Sequence, residues 1–230
     1  MTAFKDLNRF IDYCRAKASY KNKMASIFGL TLKEVSMLYE EIDKSEFLNQ
    51  ILLKAGQRKS FFNFSMSCVL RAPTLYCLCR IVRPETVVET GVADGFSSSF
   101  ILEALKKNNK GKLYSIDLPN QPDQELKQGR VTGWLIPDDL KKNWSLLIGS
   151  SRDKLPDLLS RLKKIDIFYH DSDHSYENMI FEFNEAIPFV RKAGLIVSDD
   201  ITDNNAFRDF CYLGKYTSIS LFKLGVIRKK

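Results

Sequence analysis

The chain has two histidines, His170 and His174, and both fall in the run Tyr169-His170-Asp171-Ser172-Asp173-His174-Ser175-Tyr176-Glu177. Two imidazoles interleaved with two carboxylates over five residues suit proton transfer near neutral pH, where histidine titrates. A capped helix start, with Asp173 or Ser175 as the cap, accounts for part of the same pattern. A second acidic group, Ser198-Asp199-Asp200, follows about thirty residues later. Adjacent carboxylates repel each other unless a cation neutralises them. Asp171, Asp199 and Asp200 together make an all-oxygen set suited to Mg²⁺ or another hard divalent ion. Zinc suits the set less, because the cysteines lie elsewhere. Solvated capping of the next loop is the alternative for the Asp-Asp pair.

Two further groups suit ligand binding. Glu89-Thr90-Gly91-Val92-Ala93-Asp94-Gly95 carries two glycines in the spacing Gly-x-x-x-Gly. Such a loop lets a ligand approach the backbone, but it is not the Gly-x-Gly-x-x-Gly of a pyrophosphate loop. Glu89 beside it is suited to a cationic ligand group; a plain tight turn is the other explanation. Asp117 comes next. An acceptor-only carboxylate at a strand end can take both hydroxyls of a ribose, or it can cap a turn. The glycine loop and Asp117 on successive strands point together to a nucleoside.

These groups need a frame that gathers them. Short apolar runs at Thr86–Thr90, Leu113–Ile116, Ser145–Ile148, Ile165–Tyr169 and Leu195–Val197 read as strands. Amphipathic stretches between them read as helices: Phe96 to Lys107, a helix started by Pro156, and Tyr176 to Val190. Unalternated apolar strands alternating with helices predict a parallel, doubly wound sheet covered on both faces. In such a sheet the carboxyl ends of the strands bind ligands, and the candidate groups, with Gly149-Ser150-Ser151, fall at those ends. Lys215–Phe222 and Val226–Lys229 flank Leu224-Gly225 with no room for a crossover, so they predict an antiparallel hairpin. Residues 1 to about 80 read as helices only, with stretches from Phe4 to Cys14, Leu32 to Lys54 and Leu70 to Val82, the last stopped by Pro84.

Composition sets the outer limits. At 230 residues the chain is one large domain or a domain with an extension; we place the division at 1–80 and 81–230. Hydrophobic residues at 44% and charged residues at 27% exclude disorder, collagen and coiled coil. No apolar run approaches the roughly 18 residues of a membrane span, and Lys5 and Asp6 interrupt the place of a signal-peptide core. A cytoplasmic protein with no membrane partner is expected. Five cysteines (Cys14, Cys68, Cys77, Cys79, Cys211) without a Cys-x-x-Cys read as reduced thiols. The sequons at Asn63 and Asn143 read as chance. A net charge of +7 is moderate and has no basic block beyond Arg228-Lys229-Lys230, so nucleic acid is not the expected partner.

Taken together, Leu75-Tyr76 through Arg83-Pro84-Glu85-Thr86-Val87-Val88-Glu89-Thr90-Gly91-Val92-Ala93-Asp94-Gly95-Phe96-Ser97-Ser98, Trp134-Leu135-Ile136-Pro137 through Trp144, Gly149-Ser150-Ser151, His170 through Glu177, Lys192-Ala193-Gly194 and Asp199-Asp200 resemble a class I S-adenosylmethionine-dependent methyltransferase of family 24. The resemblance runs over about residues 70–230 and implies a Rossmann-like seven-stranded sheet whose last strand is antiparallel. It implies that Glu89, Gly91 and Gly95 line the methionine part of S-adenosylmethionine, that Asp117 holds the ribose, that Ser150 and Ser151 lie near the adenine, and that Asp171 borders the cofactor. By similarity to metal-dependent sugar O-methyltransferases, Asp171, Asp199 and Asp200 match metal ligands for Mg²⁺ or a similar ion, and His174 matches the base. Two positions depart from the family pattern: Ser172 replaces glycine and His170 replaces an apolar residue.

The expected activity is therefore O-methylation of a small hydroxylated molecule, a sugar or glycosylated metabolite. A nicotinamide-dependent oxidoreductase on a similar sheet is the main alternative, with the loop spacing and terminal hairpin against it. An RNA-methylating protein is a third; it lacks an Asn-Pro-Pro-Tyr or catalytic Cys motif. The N-terminal helices are suited to covering the site, selecting substrate or building a homodimer.

Overall fold

The computed structural model describes residues 2–55, 66–119 and 130–230. Its strands are β1 (Thr86–Thr90), β2 (Lys112–Asp117), β3 (Trp144–Ile148), β4 (Ile165–His170), β5 (Val190–Ser198), β6 (Thr217–Leu221) and β7 (Leu224–Arg228). They form one seven-stranded sheet in the order β3-β2-β1-β4-β5-β7-β6. Neighbours among β1 to β5 are parallel, and β7 runs antiparallel to both β5 and β6. The Rossmann-like α/β sheet and its antiparallel end are as the sequence predicts.

Eight α-helices are described: α1 (Thr2–Phe28), α2 (Leu32–Asp43), α3 (Glu46–Lys54), α4 (Met66–Val82), α5 (Phe96–Asn108), α6 (Ser151–Leu162), α7 (Tyr176–Ala186) and α8 (Ala206–Gly214), with a short 3-10 helix at Asp138–Asn143. Strand alternation divides them between two faces. Val87, Ile167, Tyr169, Leu195 and Val197 pack with residues of α1–α5. Val88, Phe168, Ile196 and Ile227 pack with residues of α6–α8. The N-terminal helices therefore share a core with one face of the sheet. They cover apolar strand surface that would otherwise meet water, at about 25 cal/mol per Å².

Several boundaries differ from the sequence reading. The stretch from Leu32 to Lys54 is two helices, because Ser45 caps a new one by accepting the Leu48 N–H at 3.2 Å. The helix expected from Pro156 begins at Ser151, since Ser150 caps it by accepting the Asp153 N–H at 3.2 Å. The helix from Tyr176 ends at Ala186, two residues before Pro188, and β5 starts earlier than expected, at Val190. The hairpin turns at Phe222-Lys223 rather than Leu224-Gly225: Leu221 pairs with Leu224, and Phe222 takes φ +58°. Gly225 lies inside β7 instead, where an added Cβ would come within 2.5 Å of the Phe207 ring.

Cys77 and Cys79 are buried thiols, Cys211 is half-buried and Cys14 is exposed. The Cys68 side chain and the Asn63 sequon lie outside the described residues. Among the described residues, no helix is long and apolar enough to cross a membrane.

Candidate active site

The carboxyl ends of β1, β2, β3 and β4 surround a cavity of about 760 Å³, within the usual range for small-molecule sites. Its wall includes Arg71, Thr90–Ala93, Asp117, Gly149–Arg152, Asp171–His174 and Asn178. Of the residues singled out in the sequence, Gly91, Asp117, Ser150, Ser151, Asp171 and His174 line it. Glu89, Gly95, Asp199 and Asp200 are not in its wall.

Gly91 follows β1 and joins it to the β4 side of the site. Its φ is +82°, and a Cβ there would lie 2.0 Å from the Asp171 carbonyl oxygen. Only glycine permits both the backbone angle and this contact. The neighbouring hydrogen bond from Asp171 N–H to the Thr90 carbonyl, 2.9 Å, ties the two strand ends together. Gly95 serves a different purpose. It starts α5, and a Cβ would lie 2.8 Å from the Gly133 Cα. The segment around Trp134 folds over the glycine loop through Gly133 N–H to Ala93 O, 2.8 Å, and Leu135 N–H to Asp94 O, 2.9 Å.

Asp117 ends β2. Its two oxygens accept the Ala93 and Leu118 N–H groups, each at 2.9 Å. Burial raises its pKa and the two N–H groups oppose the rise; the net direction is upward. Each oxygen retains acceptor capacity toward a ligand. Ser150 and Ser151 sit at the start of α6, where Ser150 also donates to Asp153 at 2.7 Å.

Glu89 is fully buried behind this wall. Its Oε2 accepts from Ser98 at 2.8 Å and Ser115 at 2.7 Å, and among the described residues Oε1 has no hydrogen-bond partner. Burial pushes its carboxyl up to about 8, against the two serine hydroxyls, with the Asp171 charge adding to the rise. An acid with a raised folded-state pKa holds its proton in the fold after the unfolded chain has lost it. Stability therefore falls as pH rises from the ordinary carboxylate range to about 8, then levels off. Glu89→Gln should leave stability nearly unchanged at pH 5 and add on the order of a few kcal/mol at pH 9. Thermal melts of both proteins across that range check this. A gap independent of pH would mean that Glu89 ionises normally.

The acidic groups are placed by two cations. Asp171 Oδ1 lies 3.2 Å from Arg71 Nη1 of α4, and Oδ2 accepts the Tyr169 hydroxyl at 2.9 Å. The same Nη1 contacts Asp199 Oδ2. Asp199 is 1% exposed, and its Oδ1 has no hydrogen-bond partner among the described residues. Asp200, at φ +48°, pairs instead with Lys223 at 2.8 Å. The structure thus brings Asp171 and Asp199 together and turns Asp200 aside. Ligand atoms of Asp171, His174 and Asp199 lie within 4.8 Å of one another. This triad differs from the three carboxylates grouped by sequence, and Arg71 bonds to two of its members.

His174 Nε2 is buried, 3.9 Å from Asp171 Oδ1, and has no hydrogen-bond partner among the described residues. The loop is held by Asn204, which donates to the His174 carbonyl at 2.7 Å. His170 lies on the opposite face of β4, the face of α7, with its ring edge-on to His174 at 5.3 Å. It is fully buried, and its Nδ1 meets Glu182 Oε2 at 2.7 Å. Glu182 also accepts Thr90, Ser172 and Asn178. Burial raises the Glu182 pKa, but His170 and the hydroxyl donors outweigh it and the net direction is down. The two departures from the family pattern, His170 and Ser172, therefore share one buried acceptor.

Arg71 and Glu182 were not found from sequence. Arg71 is a hundred residues from Asp171. Its signal was available, since Arg71 and Arg80 are the only charges in the apolar α4, and a charge in a buried run needs a partner. Glu182 lay on an ordinary helix, and nothing local marked it.

The sheet order, with a cavity at the carboxyl ends of its strands, matches the Rossmann-like fold of methyltransferases. The family model described as a methyltransferase domain, family 24, matches residues 88–201, and this part of the chain is such a domain. A curated relative, an uncharacterized protein R132 of Acanthamoeba polyphaga mimivirus, is 30% identical over 122 residues, 51% of this chain. The chain spans about half the length of that relative, 52%. Among solved structures, the O-methyltransferase from Bacillus cereus in complex with SAH is 15% identical, with a TM-score of 0.50 over 81% of this chain and 92% of its own. The MycE methyltransferase of the mycinamycin biosynthetic pathway, in complex with Mg, SAH and mycinamycin VI, is 15% identical, with a TM-score of 0.56 over 81% of this chain and 55% of its own. At these identities the structural likeness is one of fold.

Proposed function

We propose that this protein transfers the methyl group of S-adenosylmethionine to a hydroxyl of a small molecule, with His174 as the base. The observation that carries this is the convergence of the Gly91 loop, Asp117 and His174 on one cavity. The residues fit the cofactor: Asp117 offers acceptors for ribose hydroxyls, Ser150 and Ser151 border the adenine end, and Thr90–Ala93 supply backbone at the methionine end. Glu89, with one oxygen unpartnered among the described residues, is the buried carboxyl nearest in sequence to that end. When bound, S-adenosylmethionine supplies an electrophilic methyl group on sulfur and leaves as S-adenosylhomocysteine. The protein's part is to hold the acceptor oxygen in line, which mainly supplies orientation, and to remove its proton. Removal of that proton is assigned to His174, and Asp171, 3.9 Å from its Nε2, stabilises the imidazolium that results.

A sugar or glycosylated acceptor suits the polar wall made by Arg71, Asp171, Asp173 and Asn178. A second version of the site adds Mg²⁺, the ion named in the MycE structure. It is favoured by the proximity of Asp171, Asp199 and His174. As arranged, these residues do not fit that ion, because Arg71 bonds both carboxylates and Asp200 is committed to Lys223. Incubation with S-adenosylmethionine and a panel of hydroxylated glycosides, read as S-adenosylhomocysteine formed, should give acceptor-dependent turnover. Turnover with amine or RNA acceptors alone would replace the hydroxyl assignment.

A further inference from the structure

We infer that Arg71 is the resident cation of the carboxylate cluster, standing where a divalent ion would otherwise sit, so that the site operates without one. Two fixed negative charges, Asp171 and Asp199, face each other across the ends of β4 and β5. Asp199 is buried almost completely. A buried carboxylate stays ionised only beside a compensating charge. One guanidinium nitrogen reaches both groups, and the Arg71 side chain is itself only 15% exposed. The remaining candidate ligand, Asp200, has its own cation in Lys223. A divalent ion held by Asp171 and Asp199 would have to displace a guanidinium already bound to both carboxylates.

Arg71 also lines the cavity. Its guanidinium offsets only one of the two carboxylate charges, so the cluster beside His174 keeps a net negative balance, which favours the imidazolium formed when an acceptor hydroxyl loses its proton. This role rests on the methyltransferase reading above; the exclusion of a divalent ion does not. The arrangement also gives the N-terminal helices a function, since α4 supplies the cation that completes a site otherwise built from the sheet.

Electron paramagnetic resonance of Mn²⁺ tests the inference directly, because bound ion leaves the free-ion signal. Titrations are run on the full chain with and without S-adenosylhomocysteine. The wild-type protein should take up no stoichiometric Mn²⁺ below about 1 mM, weaker than most protein sites for hard divalent ions. Arg71→Met keeps the length and removes the charge, so it should gain one Mn²⁺ site at least about tenfold tighter, and Asp199→Asn in that background should remove it. Uptake of one Mn²⁺ by the wild type, abolished by Asp199→Asn, would overturn the inference. So would an Arg71→Met protein that folds and gains nothing. If Arg71→Met does not fold, the wild-type titration decides alone. Failure of S-adenosylhomocysteine to bind the wild type, seen in the same samples by calorimetry, would count against the methyltransferase reading and leave the manganese result to judge Arg71 by itself.

Discussion

His174→Ala should lower turnover by about 10²- to 10⁴-fold while leaving S-adenosylhomocysteine affinity near that of the wild type. The reason is positional. His174 lines the cavity, its Nε2 has no hydrogen-bond partner among the described residues, and Asp171 lies close enough to stabilise the charge it would acquire. His170 provides the contrast. It is fully buried on the other face of β4 and bound to Glu182. His170→Ala removes one of the four groups bonded to the buried Glu182 carboxylate, so it should cost roughly 1–3 kcal/mol of stability and little turnover per folded molecule. Single-turnover rates and denaturant melts of the two variants separate the roles. A His174→Ala enzyme with full turnover would remove it as the base.

The second large effect is expected at Gly91. Alanine there must hold φ +82° and place a Cβ 2.0 Å from the Asp171 carbonyl oxygen. Backbone cannot yield as a flexible side chain does, so β1 and β4 must part at the centre of the site. Gly91→Ala should cost roughly 3 kcal/mol or more. It should also weaken S-adenosylhomocysteine binding, because the same loop lines the cavity. A variant with an unchanged melt would show that the loop relaxes without loss. Gly95→Ala should also destabilise, by pushing back the segment around Gly133, but that residue is outside the cavity wall.

Much of the sheet was legible because both its faces are covered. Val87 and Val88 are buried on opposite sides, so the strand reads as an apolar run without alternation, and the helices that cover it show as amphipathic stretches between such runs. Boundaries were less legible where a cap decides them: Ser45 and Ser150 each start a helix that apolar spacing alone does not mark. The candidate groups at the strand ends were legible because parallel topology sends every carboxyl end to one edge. The pairings within that edge were not. Asp171, Asp199 and Asp200 look alike in sequence, and only the positions of Arg71 and Lys223 separate the third from the other two. Likewise, His170 and His174 are four residues apart with their rings in edge-on contact, yet His170 is bound to Glu182 and only His174 lines the cavity.

Calorimetry with S-adenosylhomocysteine tests the assignment of the cavity most directly. The wild-type protein should bind one equivalent. Asp117→Ala should weaken binding roughly 10- to 100-fold, the loss of hydrogen bonds from two ribose hydroxyls to a charged acceptor. NAD⁺ should give no heat under the same conditions. Binding of NAD⁺ in place of S-adenosylhomocysteine, or an Asp117→Ala protein with undiminished affinity, would contradict the assignment.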